Sequence, residues 1–259
     1  MLSRYYKLII TFSFCLFVSS LVLIRVGSDQ ALSVPKLTAF AFNELTRRNS
    51  GPDVADYSCH HLKVGLQVGH WNNQHPPAEL SWLVGNTGAY GGGLMEWESN
   101  HRIAVAAKQI LEKHGIQVDL LEAVVPIRYQ AAAFVSIHAD GSDTNPSANG
   151  FKIAGPERDW SGRSKQLTES IRQKYAQVTK MPEDAHNITQ NMTHYYSFSP
   201  DRFQHAIDSK TPATLLETGF LSNSGDQHFL IHHPEIPGEG LAQGLILFLD
   251  SQPGIDPCL

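Results

Sequence analysis

Three short runs rich in apolar and β-branched residues, far apart in the chain, each lead straight into a histidine or a glutamate: Val64-Gly-Leu-Gln-Val-Gly-His70, Phe134-Val-Ser-Ile-His138 and Thr214-Leu-Leu-Glu217. Runs of this length and composition read as strands buried on both faces. Patterns of helical period lie between them; Ile103, Ala106, Ala107, Ile110 and Leu111 mark one helix face, and Gly115 stops it. The pattern predicts strands over residues 63–68, 117–121, 133–137, 151–154 and 213–216, and helices over 96–114, 162–178, 226–231 and 239–249. Strands and helices in this order imply an α/β fold, a single domain with a mostly parallel twisted sheet flanked by helices on both faces. Ligands of such sheets bind beyond the carboxyl ends of the strands, so the reactive ends of the three runs are expected to share one edge.

The chain of 259 residues has 25 acidic and 20 Lys or Arg side chains, a formal net charge of −5, and no basic cluster in its body. That balance excludes a partner recognised through its phosphate backbone, so nucleic acid is not expected. Residues 61–251 hold no long Pro/Gly/Ser tract and read as one domain, preceded by a linker over 28–60 and followed by a tail over 252–259. Residues 8–24 are uncharged and follow Arg4 and Lys7. This run is short for a membrane span and long for a signal core, so residues 1–27 are expected to form a hydrophobic helix that is either a membrane anchor or a cleaved signal, with the body exported. Cys59 and Cys258 flank the body and could close a disulfide in an oxidising compartment or stay free thiols. No Cys-x-x-Cys pair suggests a thiolate metal site.

Of thirteen histidines, only His70 and His138 stand directly after a strand-like run. A lone strand-end histidine is more often a hydrogen-bonded structural group than a ligand. Glu96 opens a helix after the loop over residues 86–95; a first-turn carboxylate there favours the helix dipole, a role Glu98 would fill equally well. The glycines of that loop lack the Lys-Ser/Thr that completes a phosphate-binding loop. Glu217 ends an apolar run, where an ionised carboxylate needs a partner or a function to offset desolvation. Thr218-Gly219 is expected to turn the chain out of the strand, and Ser222, Asn223 or Ser224 to cap the next helix. Trp71, Tyr90, Trp97 and Trp160 offer sugar-stacking surface or ordinary rim packing.

Combined, these pieces resemble the zinc-dependent N-acetylmuramoyl-L-alanine amidases of the amidase-3 type, catalytic domains that cut bacterial peptidoglycan. The resemblance runs in the family's order through Gly69-His70, Glu96 with Asn100, Ser136-Ile-His138-Ala139, and Glu217-Thr-Gly-Phe-Leu-Ser-Asn223. It implies that His70, Glu96 and His138 hold Zn²⁺, that Glu217 is the catalytic acid/base, and that residues 61–251 are the zinc amidase domain. The implied reaction is hydrolysis of the amide between N-acetylmuramic acid and L-alanine, in the bacterial cell envelope. Two imidazoles and a carboxylate leave a fourth coordination position open, as a catalytic rather than structural zinc site requires. The alternatives are a zinc peptidase acting on another envelope peptide, and a non-catalytic peptidoglycan-binding module. The chain departs from the family in carrying Gln67 where an acid is common, Trp71 for Gly and Asp140 for Asn; the first of these is expected to bear on how His70 is oriented.

Overall fold

The computed structural model describes residues 62–252 apart from Asp143 and Pro146. The apolar run at residues 8–24, the linker, Cys59 and Cys258 all lie outside the described residues. Among the described residues, seven strands occur in the order β1 (Lys63–Val68), β2 (Tyr90–Gly91), β3 (Leu94–Met95), β4 (Gln117–Leu121), β5 (Ala133–Asp140), β6 (Lys152–Ala154) and β7 (Ala213–Phe220). The helices are α1 (Glu96–Lys113), α2 (Ser164–Thr179), α3 (Gln190–Thr193), α4 (Ser224–His232) and α5 (Glu235–Asp250), with 3-10 turns at Ala78–Leu83, Ala185–Asn187 and Tyr196–Phe198.

The main sheet has the order β4-β1-β5-β7-β6. β4, β1, β5 and β7 run parallel, and β6 pairs antiparallel with β7 at the edge. β2 and β3 form a separate two-stranded ribbon. Strand alternation divides the residues between two cores. Val64, Leu66 and Val68 of β1 and Ala133, Val135 and Ile137 of β5 pack with Ile103, Leu111, Leu167, Ile171, Leu241 and Leu245 of α1, α2 and α5. The opposite face presents Phe134 and Leu215 to Leu80, Tyr129, Met192, Tyr196 and Phe198, which come from short helices and loops. Helical segments therefore cover both faces, long on one and short on the other.

The expected elements are found, most of their ends within two residues of the expected bounds, and three boundaries differ by more for identifiable reasons. Glu217 and His138 do not end their strands: β7 continues to Phe220 and β5 to Asp140. The register passes from His138↔Glu217 to Asp140↔Phe220, so Thr218-Gly219 is a bulge within β7 rather than an exit from it. α5 begins at Glu235, before the expected residue 239, because Pro237 in a first helical turn has no N–H to be missed. Asn223 caps α4, accepting from the N–H groups of Gly225 and Asp226.

Candidate metal centre and active site

His70, Glu96, His138 and Glu217 line one cavity of about 480 Å³ on the face covered by short segments. β1 delivers His70 two residues beyond its last strand position, and Gly69 before it lies so close to the His138 ring that an added Cβ would stand 2.6 Å from Nδ1. His70 has φ 65°, a left-handed conformation that costs a non-glycine residue about 1 kcal/mol and recurs at functional sites. Gly88, with φ +72°, lets the loop before α1 approach; a Cβ there would collide with the Glu96 carboxylate and the His70 ring.

Glu96 is the hub. Its Oε1 lies 2.9 Å from His138 Nδ1 and accepts from Ala139 N at 3.1 Å and Asn100 Nδ2 at 3.2 Å. Its Oε2 accepts from Ala89 N at 2.8 Å and lies 3.4 Å from His70 Nε2. Asn100, one turn along α1, thus steadies the carboxylate. Glu98 takes the capping role instead, accepting from Met95 N at 2.8 Å. Burial alone would raise the Glu96 pKa, but the His138 hydrogen bond and charge, the His70 charge and the Ala89 N–H outweigh it and hold the group ionised. Around this carboxylate the two histidines diverge. Burial pushes the His70 pKa down, with Glu96 only partly offsetting it; the His138 pKa is raised because its Glu96 hydrogen bond and charge overcome the burial that would lower it.

Each imidazole turns one nitrogen inward and secures the other. His70 Nδ1 lies 3.0 Å from the Asn86 carbonyl oxygen, and His138 Nε2 lies 3.3 Å from the Tyr195 hydroxyl, whose ring meets His138 edge-on. Inward-facing His70, Glu96 and His138 donor atoms all fall within 4.8 Å of one another, a group that could bind a metal ion. Two nitrogens and one oxygen, with outward hydrogen bonds fixing both rings, fit a divalent transition metal of borderline softness. Metal capture would displace the proton that His138 Nδ1 shares with Glu96.

Glu217 stands across the β5–β7 pair from His138. Its Oε2 is enclosed and has no hydrogen-bond partner among the described residues. Burial, partly countered by His138, raises its pKa to about 8, with the Glu96 and Asp140 charges adding to the rise. A carboxyl with one enclosed, unpaired oxygen beside a metal-ligand cluster is the feature least explained by packing.

Gln67 does not orient His70. Its side chain donates to Ala123 O at 2.7 Å and Tyr196 Oη at 2.9 Å and accepts from Ser136 Oγ at 2.6 Å, beneath the His138 side of the site. Sequence reasoning missed Tyr195, Tyr196 and the Asn86 carbonyl; the Tyr-Tyr pair in a polar stretch was the available signal. Tyr90 lines the cavity, whereas Trp71 packs on the core and meets His101, and Trp160 stacks on Arg158.

N-acetylmuramoyl-L-alanine amidases of the amidase-3 family match residues 64–235, which contain all four of these side chains. The chain belongs to that family. It hydrolyses the amide bond between N-acetylmuramic acid and L-alanine in peptidoglycan. Its fold is similar to that of the amidase AmiC2 of Nostoc punctiforme, at 24% identity over 73% of this chain and 98% of that one with a TM-score of 0.53. The catalytic domain of CwlV from Bacillus (Paenibacillus) polymyxa var. colistinus is similar at 21% identity, covering 74% and 99% of the two chains with a TM-score of 0.53. Ami1 of Mycobacterium smegmatis is similar at 20% identity, covering 74% and 98%, with a TM-score of 0.52. No curated protein matches the chain.

Proposed function

We propose that the amidase is a zinc enzyme in which His70 Nε2, Glu96 and His138 Nδ1 hold Zn²⁺ and Glu217 carries the proton. The observation that supports this most is the convergence of the three donors in the cavity that also exposes Glu217. Bound there, the ion supplies Lewis acidity to the lactyl carbonyl and makes water nucleophilic at neutral pH. Glu217 accepts the proton of the attacking water as its oxygen joins the carbonyl carbon. The carboxylic acid so formed then gives that proton to the L-alanine nitrogen as the C–N bond breaks, and the second proton of the water passes from the new muramic acid carboxyl to the released amine, leaving a carboxylate and a peptide ammonium. Glu96, held ionised by its neighbours, keeps both imidazoles facing the centre. Gln67, Ser136 and Tyr195 support His138 from behind.

Digestion of purified peptidoglycan should release stem peptides with a free L-alanine amine, identified by mass spectrometry, and the soluble protein should carry one zinc per chain. Fragments cleaved within the peptide would replace the amidase reading with a peptidase one. A full zinc equivalent retained by His70→Ala or His138→Ala would remove that residue from the ligand set.

The protein acts at the cell envelope, and the apolar run at residues 8–24 supports export with the body outside the membrane, residues 28–60 serving as spacer. No helix among the described residues is long and apolar enough to cross a membrane. Fractionation should leave the full chain with the membrane and a chain beginning at Ser50 in solution; recovery of a mature protein beginning near Asp29 would show a cleaved signal instead.

A further inference from the structure

Lys152 is neither a donor of the metal cluster nor the proton carrier, though its charge acts on Glu217, and its side chain is only 5% exposed. It occupies β6 between buried neighbours, and an unpaired ammonium there would cost several kcal/mol. Asp140 pairs with it, and the Phe220 ring lies 5.1 Å from the amine. An ammonium has three donors. Asp140 is the only hydrogen-bond acceptor it meets among the described residues. Asp140 also takes the N–H of Gly141 at 2.7 Å, which pins its other oxygen.

The amine stands beside the reacting groups. Lys152 and Glu217 are register partners across the β6–β7 pair and so point to the same face of the sheet. Lys152 also lines a second cavity of about 460 Å³ with Asp184, His186 and Ile188, and residues 140–142 form the wall this cavity shares with the reaction cavity. No other lysine or arginine lines either cavity among the described residues. The second cavity is lined by the carboxylates Asp140 and Asp184, so Lys152 is the fixed cation in it that an anionic substrate group can meet.

Resting on the amidase reading, we infer that Lys152 is a specificity-determining residue whose ammonium receives a carboxylate of the stem peptide in this second cavity. The peptide that leaves begins with L-alanine, and the residue after it is a γ-linked D-glutamate whose α-carboxyl is either free or amidated. The free acid lies one residue from the scissile bond, within reach of a cavity that adjoins the reaction site. Asp140 holds the ammonium when the subsite is empty and shares it when the substrate carboxylate arrives. The enzyme therefore prefers stems with the free acid over amidated ones.

The test compares two soluble substrates, N-acetylmuramoyl-L-alanyl-D-isoglutamate and its isoglutamine counterpart, on the zinc-loaded full-length protein. The variants are Lys152→Arg, Lys152→Gln and the double variant Lys152→Gln with Asp140→Asn, which replaces the ion pair by a neutral hydrogen-bonded pair and so protects the fold. Wild type should favour the acid by about tenfold or more in kcat/KM, mostly through KM, as losing a charged hydrogen bond implies. Lys152→Arg should keep most of that ratio, and both Gln variants should bring it to about one. A wild-type ratio of one, or a ratio preserved in both Gln variants, overturns the inference; a purely structural lysine would depress both substrates together. In the same samples, equilibrium binding of free L-alanyl-γ-D-glutamate is compared with that of its α-amide. If wild type cleaves neither muramoyl substrate the amidase reading falls, while tighter binding of the acid, lost in Lys152→Gln, still supports the subsite, and equal binding overturns it.

Discussion

The same strands present two different surfaces. Toward α1, α2 and α5, β1 and β5 send Val64, Leu66, Val68, Ala133, Val135 and Ile137, all fully buried. Toward the opposite side they send Gln67, Ser136 and His138, joined by Glu217 of β7 and Lys152 of β6. Alternation with a period of two makes this possible, because one strand can satisfy a packing face and a reactive face at once. The covers differ to match. Long helices supply interlocking aliphatic side chains but few free polar groups, since their backbone is already paired. Short turns and loops leave carbonyls, N–H groups and hydroxyls available, and the Asn86 carbonyl, the Ala89 N–H and the Tyr195 hydroxyl are the groups that fix His70, Glu96 and His138. For the strand residues, stability and chemistry are thus separated by parity, while Glu96 and Asn100 reach the site from the first turns of α1, and substitutions on the strands and their covers should sort accordingly.

Glu217→Gln tests the reactive face most severely. The rate should fall by roughly 10²–10⁴-fold with zinc still bound, the range for loss of a general acid/base. The same change should stabilise the metal-free protein in a pH-dependent way. The folded pKa of Glu217 is raised to about 8 from an ordinary value of 4.5, so on raising the pH the unfolded chain gives up this proton first. Its contribution to stability therefore falls between those two values, and the variant escapes that loss. Metal-free melting curves should nearly coincide at pH 4 and separate in the variant's favour by pH 8; zinc, whose charge favours the ionised carboxylate, should narrow the gap. Normal turnover would remove Glu217 from the mechanism, and a gap that does not widen with pH would show that its burial is relieved by another group.

Leu167→Ala or Ile171→Ala tests the packing face. Both side chains are fully buried between the sheet and α5, so each truncation should cost about 2–5 kcal/mol. Turnover per folded, zinc-loaded molecule should stay at the wild-type value. Denaturant unfolding beside active-site titration measures both quantities. A loss of zinc affinity parallel to the loss of stability would break the separation between faces.

Tyr195→Phe probes the link between the reactive face and its cover. It keeps the ring against His138 and removes the oxygen to which Nε2 is bonded, so zinc affinity should fall by about 10–100-fold in chelator competition. Unchanged affinity would mean that the ring contact alone orients His138.

The difference between the covers also explains what the sequence disclosed. Residues 63–68 and 117–121 are legible to the residue because apolar side chains fill most of the buried positions of each strand, and α1 because its buried positions recur at helical spacing. His70, Glu96, His138 and Glu217 are legible because each stands in a short fixed motif. The cover of the reactive face has neither property. Residues 185–198 fold as separate short turns with no period, so nothing local announces that Tyr195 meets His138. Gln67 misled for a related reason: three residues before His70 it looks like that residue's support, but parity turns it toward Ser136 and Tyr196. Lys152 did carry a signal, a charge inside an otherwise buried strand.

The smallest effect belongs to the seam that joins two pieces of the cover. Glu79 accepts from His205 N at 2.8 Å and Gln204 N at 3.0 Å, and its Oε1 lies 2.7 Å from His205 Nδ1. Nearby, Trp82 meets Phe203 edge-on at 5.6 Å. The two backbone N–H groups, then the His205 side chain, pull the Glu79 pKa down to about 2. A depressed carboxylate contributes above its ordinary value of 4.5 and loses that contribution as the pH falls toward 2, so the Glu79 carboxylate stays ionised across the range in which Glu217 changes. The group is exposed, and an amide can still accept one N–H, so Glu79→Gln should leave zinc affinity and global melting unchanged. It should instead speed hydrogen exchange at the amides of Gln204 and His205, the local signature of a weakened contact. If zinc affinity dropped as well, the cover would be acting as one cooperative unit with the metal site, and the short segments would be more than a frame for the few polar groups that touch it.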